Sequence, residues 1–157
     1  MNAQLQLLKS DIQVEMAAIE RIFNALSSDD TDLSDAKDAI VIGYYLHNLY
    51  NAFESVFKRV AESFENHIPD KSRWHSLLLE RMGRDIEGIR PRLLSEAAIV
   101  CLDELRRFRH LFRHLYRYDL EAEGVERALK QANRLKCVYQ KDLNQFIDFL
   151  NHLNEAA

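Results

Sequence analysis

The 157 residues carry a formal net charge of −4, with 47% hydrophobic and 29% charged side chains, four glycines and two prolines. That is ordinary for one globular domain, 1–157, with a real hydrophobic core. No window approaches about eighteen uninterrupted apolar residues, and Met1-Asn2-Ala3-Gln4 opens no basic-then-apolar leader, so neither a membrane span nor an export signal is expected and a cytoplasmic chain is expected.

So few glycines and prolines leave few natural breaks, which favours long helices. Leu5, Leu8, Ile12, Ile19, Phe23 and Leu26 recur at helical spacing and predict a first helix over Ala3–Leu26. Ser27 to Asp32 reads as a loop of turn and capping residues. A long second helix, from about Ser34 to Asn66, carries Ile42, Leu46, Leu49, Phe53, Val56, Val60 and Phe64. Between them Tyr44, Tyr45, His47, Asn48, Tyr50, Asn51 and Glu54 make this helix unusually polar and aromatic.

Pro69 breaks the pattern, and Arg73 to Met82 forms a short helix with Trp74, Leu77 and Leu78. Gly83 to Pro91 is a second break, with Pro91 expected in the first turn of a helix running to about Tyr116. One last helix is expected over Glu123 to Asn154, through Leu129, Leu135, Tyr139, Leu143, Phe146, Leu150 and Leu153. Cys101 and Cys137 lie in apolar helical patterns without metal-ligand spacing and read as reduced core residues. His67, His75 and His152 read as surface residues. Four main helices and a short one make an all-α, up-and-down bundle.

The charge distribution says more than the sum. Between Arg106 and Tyr118 lie five arginines, two histidines and no acid, while the rest of the chain holds 16 Lys/Arg against 25 Asp/Glu. Leu94, Ala98, Cys101, Leu105, Phe108, Phe112 and Leu115 form a core-facing stripe, which turns Arg106, Arg107, His110, Arg113, His114 and Arg117 outward. Arg109 and Tyr116 flank the stripe on one edge. A one-sign face is either a solvated surface paired with acids of a neighbouring helix or an anion site, since guanidinium groups make bidentate contacts to phosphate. His110 and His114, at i,i+4, also have a spacing that can chelate a metal. The adjacent arginines and the lack of any Glu-x-x-His pair argue against that, so neither metal nor cofactor is expected.

Arg109-His110-Leu111-Phe112-Arg113-His114-Leu115-Tyr116 spells Arg-x4-His-x-Tyr. This resembles the Arg-x4-6-His signature of HEPN domains, in the Tyr-bearing form of HepT-like toxins, and the likeness extends over the whole chain. Many relatives have Asn or Asp after the Arg, where this chain has His110. The resemblance implies metal-independent RNA cleavage in a homodimer whose two motifs line one cleft, with no action on DNA. A neutral histidine can take the proton of a ribose 2′-OH and arginine can stabilise the charge growing on phosphate. His114 is then the general base or acid and Arg109 the transition-state stabiliser. Arg106, His110, Arg113 and Arg117 would hold the flanking backbone.

Positions 109 and 114 point about 140° apart on a regular helix, so either the helix bends or two copies supply complementary groups. Glu54 falls where HEPN relatives place a helix-two acid, and would orient Arg109 by an ion pair; alternatively it belongs to the wet edge of a core helix. Tyr116 is, by resemblance, the tyrosine to which a cognate minimal nucleotidyltransferase antitoxin adds AMP; alternatively it stacks on RNA or rims the dimer interface. A second function class stays open: a non-catalytic HEPN module that binds a nucleotidyltransferase or a nucleotide.

Overall fold

The computed structural model describes residues 2–27, 32–65, 73–117 and 119–156. They form six helices: α1 (Ala3–Leu26), α2 (Ala36–Phe64), α3 (Trp74–Met82), α4 (Glu96–Arg113), α5 (Ala122–Lys136) and α6 (Tyr139–Ala156). Among these residues an isolated β-bridge between Ile86 and Arg90 is the sole extended pairing. The architecture of the described residues is an all-α bundle. No helix in the described residues is long and apolar enough to cross a membrane. His67 and the Pro69 break lie outside the described residues.

α2 is the central helix, packed against α1, α3, α4 and α5. Its buried stripe of Ile42, Leu46, Leu49, Phe53, Val56 and Val60 supplies much of the core, as the apolar spacing requires. Capping fixes where α1 and α2 start. Asn2 accepts from the Gln4 N–H at 3.0 Å and Asp35 from the Lys37 N–H at 2.9 Å, each satisfying a donor that the first turn leaves orphaned.

The chain departs from its sequence reading at three places. α4 begins at Glu96, not at Pro91, because Ser95 caps it. The Ser95 hydroxyl and N–H both donate to Asp142 Oδ2, at 2.7 and 2.9 Å, so α6 sets the start of α4. The preceding loop is held by Arg90, which is buried and donates to Glu65 and to the carbonyls of Arg81, Arg84 and Pro91.

The second departure is the other end of α4, which stops at Arg113, with His114 as its C-cap at φ −111° and ψ 26°. The third is the last helix, which divides at Cys137–Val138 into α5, packed on α4 and α2, and α6, which reaches α1. Tyr139 stands just after the division and is buried between Phe23 (centroids 5.2 Å apart) and Phe53 (5.6 Å). Burial of that ring favours the change of direction, although no glycine or proline marks it. Cys101 is buried as expected, but Cys137 is exposed because it caps α5 rather than continuing its apolar face.

Candidate active site

The site is built on the seam where α2, α3 and α4 meet. Gly43 lets α4 come close: a β-carbon there would lie 2.8 Å from the Phe112 ring. One turn further along α2, His47 packs its ring 5.4 Å from that of Phe112. His47, Tyr50, Asn51 and Glu54 follow at helical spacing and face Arg109 of α4.

Arg109 is 6% exposed, so it belongs to the interior and not to the solvent edge of the stripe. Its Nη1 donates to Asn51 Oδ1 at 3.0 Å and to Glu54 Oε1 at 3.3 Å, the ion pair expected for Glu54. The guanidinium carbon lies 5.1 Å from the Tyr50 ring centroid. Glu54 is 2% exposed. Its second oxygen is 2.8 Å from His75 Nδ1, and Lys58, itself 4.7 Å from the Trp74 ring, stands 3.9 Å from Oε1. A carboxylate this deep is expensive unless paired, and Arg109, His75 and Lys58 all face it.

Both Arg109 bonds leave through Nη1. The Nε–Nη2 edge, the fork that binds a phosphate through two parallel bonds, therefore has no acceptor in the described residues, and Nε is a buried donor without a partner. The Tyr50 hydroxyl on the same seam is likewise buried and unpaired. Burial, reinforced by Glu54, pushes its proton affinity far up, so it stays a donor. Burial, then the charges of Arg109 and Arg113, push His47 below the ordinary histidine range.

The second half of the motif stands just past the helix. His114 is half-buried, with its Nδ1 buried and unpaired. Its ring lies 4.8 Å from that of His110 and 6.0 Å from that of Tyr116. With His110, Leu111 and Arg117 it lines a pocket of about 210 Å³. Since α4 ends before His114, the angle of a regular helix does not govern the pair. Arg109 and His114 nevertheless make no direct contact.

Tyr116 is 75% exposed, with the Arg117 guanidinium 5.4 Å from its ring. The outward face is less uniformly free than its sequence indicates. Arg106 pairs with Asp103 at 2.9 Å, and Arg107 with Asp103 at 3.0 Å and Glu104 at 3.9 Å. Arg113 and Arg117 are exposed and have no carboxylate partner among the described residues.

Three site residues escaped individual notice in the sequence. His47 and Asn51 are seven and three residues before Glu54, a spacing that places all three on one helix face. His75 lies at the surface as read, its side chain 41% exposed, and is also a partner of Glu54, which no local pattern announces. Among the described residues no group of three or more His, Cys, Asp or Glu is placed to hold a metal ion.

Comparison with curated proteins gave no match, and comparison with solved structures gave none. The family model described as HepT-like protein matches residues 41–150, which include every residue of the site, and the chain belongs to this HepT-like family.

Proposed function

We propose that the chain is the toxin of a HEPN-type toxin–antitoxin module: a metal-independent endoribonuclease that acts as a homodimer. The observation that carries this reading is the unpaired Nε–Nη2 edge of Arg109, held by Asn51 and Glu54 through Nη1 alone. A buried donor left unpaired costs about 1–3 kcal/mol, and a phosphoryl oxygen would relieve that cost. His114, which lines a basic pocket with His110 and Arg117, takes the proton of the ribose 2′-OH. The 2′-oxygen forms a bond to phosphorus, the bond to the 5′-oxygen breaks, and Arg109 stabilises the negative charge on the phosphoryl oxygens. His114 of a second copy supplies the proton that the leaving 5′-oxygen takes up. The requirement for a 2′-OH makes the substrate RNA rather than DNA. Arg113 and Arg117, lacking carboxylate partners among the described residues, hold flanking phosphates.

Tyr116 stands beside this apparatus and is exposed enough to be modified. A nucleotidyltransferase antitoxin that added AMP to it would place bulk and negative charge next to His114 and repel the RNA.

The burial of Arg109 in an ion pair favours one other reading, in which the motif is structural and the chain is a non-catalytic module that binds a nucleotidyltransferase. Expression of wild type beside His114→Ala, scored for growth arrest and RNA integrity with and without chelator, separates the two. The ribonuclease reading expects arrest and chelator-resistant cleavage by wild type alone. Equal RNA integrity in both cultures favours the module.

A further inference from the structure

Arg109 is not the end of its own hydrogen-bond chain. Asn51 accepts from Arg109 with Oδ1, and its Nδ2 lies 3.1 Å from His47 Nε2. A guanidinium only donates, so Asn51 must turn its carbonyl oxygen towards Arg109 and its –NH2 towards His47. His47 Nε2 must then accept, which places the ring proton on Nδ1.

We propose that Asn51 and His47 are positioning residues for Arg109: the His47 ring, in its Nδ1–H tautomer, orients the Asn51 amide, and Asn51 aims the guanidinium. This rests on the reading of Arg109 as the group that meets phosphate. The alignment holds only while Nε2 is bare. Protonated His47 has a donor at each nitrogen and cannot accept from Asn51. The amide then turns, presents –NH2 to Arg109, and removes one of the two acceptors that hold Nη1. The charged groups acting on His47 are Arg109 and Arg113, both from α4, and both favour the neutral ring. Its other close neighbour on that helix, Phe112, carries no charge. Acid therefore loosens Arg109, and at neutral pH the relay is set.

The test uses the full chain with nitrogen-labelled histidine and arginine. NMR at neutral pH is expected to show His47 protonated at Nδ1 and bare at Nε2. On acidification the Arg109 Nε–H resonance moves with His47 in wild type and ceases to follow it in Asn51→Leu. An Nε2–H tautomer, or an Arg109 resonance indifferent to His47, overturns the relay whatever the chain does to RNA. Single-turnover cleavage supplies the second arm. His47→Leu and Asn51→Leu lose on the order of 10–10²-fold in rate, as small misplacements of a catalytic group do. His47→Gln, whose amide oxygen can accept the same hydrogen bond, keeps the neutral rate and loses the part of the acid limb that tracks His47 in the NMR titration. A folded His47→Leu that cleaves at the wild-type rate overturns the positioning role. Wild type that shows the coupled resonances yet leaves RNA intact supports the relay and refutes the ribonuclease reading alone.

Discussion

Replacing Glu54 by Leu removes the carboxylate that faces Arg109 at 3.3 Å, His75 at 2.8 Å and Lys58 at 3.9 Å. His75 and Lys58 are exposed enough for water to replace the lost partner. Arg109 is not, and keeps Asn51 as its single acceptor. Breaking a buried pair from one side costs about 3–5 kcal/mol. At about 2–4 °C per kcal/mol for a chain of this size, the melting temperature should fall by about 6–20 °C. The double variant Glu54→Leu/Arg109→Met removes both charges and should recover most of that loss, since apolar groups of similar volume often replace a buried pair at little cost. Urea unfolding followed by circular dichroism measures all four corners of the cycle. A Glu54→Leu protein within about 0.5 kcal/mol of wild type, the scale of an ordinary surface change, would show that the seam is wet and that Arg109 is not held as described.

Gly43→Ala places a methyl group 2.8 Å from the Phe112 ring, so urea unfolding should show a loss of about 1–3 kcal/mol from overpacking; an unchanged midpoint would mean that the ring moves aside freely. His47 has a lowered folded-state pKa, so below its unfolded value of about 6.5 the unfolded chain binds the proton first and stability falls with pH. His47→Gln should flatten that slope in urea midpoints between about pH 7.5 and pH 5, and an equally steep variant would assign the slope elsewhere. With a nucleotidyltransferase partner and ATP, the intact mass should rise by whole AMP units in wild type and not in Tyr116→Phe; a gain that persists would move the target to another residue, Tyr118 being the nearest tyrosine.

The sequence was most informative where burial follows a regular spacing. The α1 bounds and the Leu94-to-Phe108 stripe match their periodicities because a continuous apolar face has one way to meet a core. Glu54 meets Arg109 as the family resemblance implied. Much of what stayed hidden depends on residues distant in sequence. Asp142 caps the start of α4 from 47 positions away, and Tyr139 turns α6 through contacts with Phe23 and Phe53. Arg106 and Arg107 look free in a segment that lacks acids, yet Asp103 sits one turn upstream. His75 joins Glu54 across 21 positions and a proline-containing break. The interior placement of Arg109 was hidden because an arginine beside an apolar stripe reads as its wet edge until the carboxylate that draws it inward is located.

Single-turnover cleavage of RNA by the purified chain tests the central claim most directly, with Arg109→Ala and His114→Ala compared with wild type in the presence of chelator. Each lost group should cost about 10²–10⁴-fold in rate, in variants whose circular dichroism and oligomeric state are unchanged. Chelator should leave wild type active. Folded variants that cleave at the wild-type rate, or a wild type silenced by chelator, would contradict the assignment of this chemistry to Arg109 and His114.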